Sequence, residues 1–380
     1  MKKILAILAA AFIGCSCQAQ DSVSNLVHLV ASSVASNSVP DPAVDAALDK
    51  MLSEDKVSSS LIVAKLEWLL NRPDKAISIL EDLVQKHGEE SDGQRYIMPV
   101  GITANYWIGT IARQKGDAQR AKKAYEDVLA CAARHPQDNA IGHEAEKQFC
   151  YQYISEIQAV MLKQTNAAIE TLMKIPQRPP RFEPGSEKAL QFMLFSPGEE
   201  LNWDADQAWI DYQIAILKGK QDEARASLKG SELKLQYMIG TLAACANRSG
   251  IKISPWIRGR GEDNRILQIQ GLRLAIKSNS PIDRSFALLA LGSELQSDQP
   301  VEAEKYYTEL LESDSFYAPV GGIYLAALQR SLGKADEADK TDAIVKKRFP
   351  GYAMYFIQSA LIINVDKPPD SPPEPLRFNL

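Results

Sequence analysis

From Asp41 onward, apolar residues recur three and four positions apart. They run as Val44, Ala47, Leu48 and Met51, then Leu61, Ala64 and Trp68, then Ile77, Leu80, Leu83 and Val84. That spacing follows the 3.6-residue turn of a helix and places one apolar stripe against a core. Asp41-Pro42 supplies an N-cap followed by proline at the first helical position, where no amide hydrogen is needed. No run of period-two alternation flanks an Asn-Gly or Asp-Gly turn. The pattern therefore predicts an all-α chain.

A longer period lies on top of the helical one. Gly109, Gly116, Ala121 and Tyr125 follow one another at intervals of seven, five and four residues. The same intervals separate Ala64, Asn71, Ala76 and Leu80, then Tyr212, Gly219, Ala224 and Leu228, then Leu291, Asp298, Ala303 and Tyr307. Ala326, Gly333 and Ala338 repeat them, with Pro350 closing that unit. Each unit reads as an antiparallel helix hairpin. A small residue in the first helix lets the second approach, and a turn Gly or Asn takes up the left-handed conformation that ends a helix. The small Ala of the second helix packs at the crossing, and a large residue one turn later fills the groove between neighbours. The alanine anchors are unevenly spaced, so the array is divergent, with five supported units.

Ile108-Gly109, Gly116-Asp117, Ala121 and Tyr125, and again Leu325-Ala326, Gly333, Ala338 and Pro350, resemble the tetratricopeptide repeat signature. Tyr212 and Leu291 depart from it, standing where that family has a small residue. The resemblance implies an α-solenoid of antiparallel helix hairpins wound as a right-handed superhelix, whose first helices line a concave groove for a peptide or a partner protein. Carried over unit by unit, it points to Leu61, Lys65 and Trp68, then Tyr106, Thr110 and Arg113, then Trp209, Gln213 and Ile216, then Ile323, Ala327 and Arg330. Within each triplet the spacing i, i+4, i+7 keeps the side chains on one helical face. Trp, Tyr and Arg are the residue types that most often anchor interfaces, so Lys65, Trp68, Tyr106, Thr110, Arg113, Trp209, Gln213 and Arg330 form the expected binding set.

The N-terminus carries an address. Met1-Lys2-Lys3 precedes an apolar run from Ile4 to Ile13, too short at ~1.5 Å per residue to cross a ~30 Å hydrocarbon core, which marks a signal peptide. Two cleavage sites compete. Phe12-Ile13-Gly14-Cys15 resembles a bacterial lipobox that would lipidate Cys15, and the small pair Cys17 and Ala19 suits ordinary cleavage after Ala19. Either choice implies an exported protein, periplasmic or anchored at the outer membrane. The organisation expected is a signal peptide over 1–19, a tether over 20–40 holding one weak helix, and an N-terminal array over 41–175. A proline-rich connector over 176–202, a C-terminal array over 203–366 and a proline-rich tail over 367–380 complete it. Gly88–Gly101 and Ser249–Asn264 read as loops interrupting the arrays.

The 380 residues are 45% hydrophobic and 24% charged, with formal net charge −5. That composition supports a sizeable core and argues against a nucleic-acid partner, which needs a cationic surface. Cys131, Cys150 and Cys245 remain after either cleavage, an odd number that cannot be a disulfide framework. Cys131, His135, His143 and Cys150 have the composition of a metal site. In a hairpin centred near residue 137, however, Cys150 falls ~10 Å too far along its helix, so buried thiols and surface histidines are the expected reading and no metal or cofactor is assigned. GxSxG, HExxH and Walker-type loops do not occur, and Gly259–Asp263 follows no strand. The expectation is a non-enzymatic scaffold or adaptor of the bacterial envelope. Its alternative is a lipoprotein that captures glycans or small ligands on Trp203, Trp209, Tyr212 and Trp256.

Overall fold

The computed structural model describes residues 23–36, 42–54, 56–90, 99–135, 140–175, 207–220, 222–223, 261–315 and 318–349. No β-strand occurs among them; the fold is all-α. Helix α1 covers 23–36, followed by α2 (Pro42–Leu52), α3 (Val57–Leu69), α4 (Pro73–His87), α5 (Val100–Lys115) and α6 (Ala118–Arg134). Helix α7 (Ala140–Glu156) runs on into a π-helical turn (Ile157–Met161) before α8 (Thr165–Leu172) and α9 (Gln207–Leu217). Helices α10 (Gly261–Ile276), α11 (Pro281–Leu295), α12 (Pro300–Glu312), α13 (Ala318–Ser331) and α14 (Ala335–Arg348) form the C-terminal part. Each helix packs on the next in chain order from α2 to α9 and again from α10 to α14, a solenoid-like stack of hairpins. In addition, α10 returns to pack against α3.

The turns show why the hairpins form. Asn71, Gly116, Gly219 and Gly333 have φ of 61°, 90°, 71° and 74°, the left-handed conformation expected from the seven-five-four pattern. In each case the residue that follows donates its amide to the carbonyl five positions back, Arg72 to Glu67 (2.9 Å), Asp117 to Ala112 (2.8 Å), Lys220 to Ala215 (2.8 Å) and Lys334 to Gln329 (2.9 Å). These bonds satisfy carbonyls that the helix end would otherwise leave unpaired. Asp298 has no such conformation, and its turn closes instead through Gln299 N donating to Leu295 O (2.7 Å). A further unit follows the same intervals with a lysine in the turn: Glu156, Lys163 (φ 58°), Ala168 and Leu172 join α7 to α8. The π turn lengthens its closure by one residue, so Gln164 donates to Gln158 O at 2.7 Å.

The crossings are built on missing side chains. A Cβ on Gly109 would lie 2.8 Å from the ring of Tyr125, and one on Gly292 would lie 2.3 Å from the ring of Tyr307. Both tyrosines are wholly buried, so each glycine in a first helix admits the large residue of the second. Gly292 supplies the small contact that the sequence pattern assigns to Leu291, one position out of register.

Two expectations about organisation are corrected. The stretch 23–36, expected as a tether holding one weak helix, is a helix that joins the common core through Leu26, Val27, Val30 and Ala31. Gly261–Asn264, expected at the end of a loop, is the first turn of α10, with Glu262 and Asp263 placed where a helix N-terminus favours acidic groups. The signal segment with Cys15, the connector 176–202, most of the 249–264 loop and the tail 367–380 lie outside the described residues. Among those described, no helix is long and apolar enough to cross a membrane.

Candidate functional site

The first helices of the N-terminal hairpins place the expected binding residues inside the molecule. Lys65, Trp68, Tyr106, Thr110 and Arg113 are all buried, Lys65 at 2% exposure and Arg113 at 0%. They do not line an open groove: Tyr106 and Thr110 pack against Tyr125 of α6, and Arg113 meets Asp283 of α11. Helix α10 lies on α3, where Gln270 Nε2 donates to Leu69 O at 3.2 Å. At the start of α10, the Asp263 carboxylate meets His28 Nδ1 of α1 at 3.1 Å.

The centre of the covered face is a buried ion pair. Arg113 stands in the last turn of α5 and Asp283 in the first turn of α11. Each charge therefore sits at the helix end whose dipole favours it. Arg113 Nη2 donates to both carboxylate oxygens of Asp283 at 2.7 Å. Its guanidinium carbon lies 3.6 Å from the ring centroid of Tyr153 and 5.7 Å from that of Tyr125. Its Nε and Nη1 have no acceptor among the described residues. Burial works against the charge, but the Asp283 carboxylate holds the Arg113 pKa well above its usual value. Ser280 caps α11 by accepting from Asp283 N at 3.1 Å, which fixes the acid in position. Beside it, Glu156 Oε2 accepts from Ile282 N at 3.1 Å, and burial pushes the Glu156 carboxyl up to about 7.

Around the pair, Tyr106, Tyr125, Tyr153 and Phe149 stack and meet edge to face with centroids 5.3–6.3 Å apart. Thr110 Oγ1 donates to Tyr106 O at 3.0 Å and shares a hydrogen bond with Tyr125 OH at 3.1 Å. Lys65 Nζ lies 5.1 Å from the Trp107 ring centroid, and burial pushes its pKa down to about 7. Glu67, also buried, is paired with Lys75 at 2.7 Å and Arg72 at 3.3 Å.

The remaining expected residues are not brought to this face. Gln213 is half-buried on α9, and Arg330 is exposed and paired with Asp342 and Asp339 of its own hairpin. The side chains of Trp209 and Tyr212, and all of Trp203 and Trp256, lie outside the described residues. Sequence reasoning missed Asp283 and Glu156, the acids that make the buried charge of Arg113 tenable. Ser280-x-x-Asp283, a capping pattern before an apolar run, was the available signal for the first.

The metal-like constellation resolves differently from its spacing. Cys131 and Cys150 are both buried and not joined in a disulfide, and the side chain of His143 lies outside the described residues. Among the described residues one group has metal-ligand character: Glu89, Cys131 and His135, whose donor atoms all lie within 4.8 Å of one another. Compared with known protein families and with curated proteins, the chain matches none.

Proposed function

We propose that this chain is a non-enzymatic docking scaffold of the tetratricopeptide type, acting in the bacterial envelope by holding a peptide or partner protein against the first helices of its hairpins. One observation carries the reading. The face formed by α3, α5 and α7 already engages a helical segment, the chain's own α10 and α11, through an ion pair, a side-chain bond to a helix-end carbonyl and an acid on a neighbouring amide. A surface of this kind recognises a helix by its ends and charges as well as by its apolar stripe. With the N-terminal face occupied in cis, the partner meets the part left open, Gln213 on α9 and Arg330 on α13. The positive N-terminal segment and its apolar run support export, with Cys15 as the lipidation site.

Photo-crosslinkers placed at Gln213 and Arg330 in the full chain, expressed in a bacterial envelope, test this reading. A discrete adduct at either position, competed by excess unlabelled chain and not formed from the outward-facing Lys123, is the expected result. Adducts at Lys123 equal to those at both sites, or turnover of a small molecule by the purified chain, overturn it.

A further inference from the structure

The structure assigns a divalent transition-metal site, of the chemistry that suits zinc, to Glu89, Cys131 and His135. Cys131 lies in the last turn of α6 and His135 is the residue that ends it, and their donor atoms come close together. Glu89 comes from the turn after α4, and that turn is fastened by backbone bonds, Gly101 N to Gly88 O at 2.8 Å and Val100 N to Glu90 O at 2.7 Å. The fastening depends on Gly101. A Cβ there would lie 2.8 Å from Gly88 O and 3.4 Å from Cys131 Sγ. The missing side chain thus brings the Glu89 turn and the Cys131 thiol together.

The donor set is one sulfur, one imidazole nitrogen and one carboxylate oxygen, a mixed set that favours zinc over calcium or magnesium. With metal bonds of about 2.0–2.3 Å, ligands of a tetrahedral site stand roughly 3.3–3.6 Å apart. The donor atoms here are within 4.8 Å of one another, and His135 Nε2 meets Glu89 Oε2 at 2.6 Å. A cation entering between them needs shifts of about 1 Å in side chains alone. Arg134 Nη2 donates to the other oxygen of Glu89 at 2.8 Å. Arg134 orients the acid while its positive charge moderates the affinity. Binding a metal displaces the Cys131 thiol proton. Three protein ligands leave the fourth position to water.

The full chain, reduced and freed of metal by chelation, is titrated with cobalt(II) alone. The expected result is saturation at one equivalent, with a thiolate-to-cobalt absorption band and the intense visible bands of a four-coordinate ion, both removed by competing zinc. Cys131→Ser and His135→Ala abolish the thiolate band, whereas Cys150→Ser, which changes the other buried thiol, retains it. Should Cys131→Ser lose its helical circular dichroism, the exposed Glu89→Gln decides the matter, with affinity at least about tenfold weaker. Absence of a thiolate band in the wild type, its persistence in a folded Cys131→Ser, or unchanged affinity in Glu89→Gln overturns the assignment.

Discussion

The first and second helices of the hairpins solve different problems. Helix α5 buries eleven of its sixteen residues and α13 eleven of fourteen, whereas α6 buries six of seventeen and α14 three of fourteen. A second helix needs one apolar stripe, and its opposite face carries solvated pairs such as Lys122–Glu126 and Arg120–Glu81. A first helix such as α5 is covered on most sides, so a charge that faces inward from it must find a partner there. Arg113, Asp283, Lys65 and Glu67 are such charges. Glu67 is answered within its own hairpin by Arg72 and Lys75, whereas Arg113 is answered by Asp283 from about 170 residues away.

The same contrast explains what was legible. The second helices and their alanine anchors could be read from periodicity, because one-sided burial leaves a stripe. The left-handed turns at Asn71, Gly116, Gly219 and Gly333 were legible from residue type, and the α7–α8 turn was missed because Lys163 occupies it. For the first helices, Tyr106, Thr110 and Arg113 share one face of α5, but nothing in their local pattern states that Asp283 of α11 meets Arg113 there. That information lies about 170 residues away, in Asp283. The third member of the Cys131–His135 group was hidden for the same reason, since Glu89 lies on a different hairpin.

The contrast can be broken most severely at the buried pair. Asp283→Ala leaves the Arg113 charge buried without its partner, and a loss of about 3–5 kcal/mol is expected in urea unfolding. Gly292→Ala drives a methyl into the Tyr307 ring and should cost about 1–3 kcal/mol, part of which returns when Tyr307→Leu is added.

Protonation tests the comparison next, with effects on the order of a few kcal/mol. The Glu156 carboxyl is raised from 4.5 to about 7, so the folded state holds a proton that the unfolded chain has lost. Its stability contribution is present below about 4.5 and is lost as pH rises through about 7. Glu156→Gln should remove that decline from a series of unfolding curves. Lys65 has the opposite sign. Its pKa falls from 10.5 to about 7, so stability rises with pH across that window, and Lys65→Met should flatten it.

On the second helices the effects shrink. Asp117 caps α6 by accepting from Arg120 N at 3.1 Å, and Asp117→Ala should cost about 1 kcal/mol in thermal unfolding. Lys122→Ala removes one exposed pair and should change stability by less than about 0.5 kcal/mol.

That α11 meets α5 through Arg113 and Asp283 is tested by a double-mutant cycle in urea. With Arg113→Met, Asp283→Leu and the two combined, the account predicts that the double variant loses less stability than the single losses added together, by about 2 kcal/mol or more. Strict additivity would mean that the two residues do not meet in solution and would contradict it.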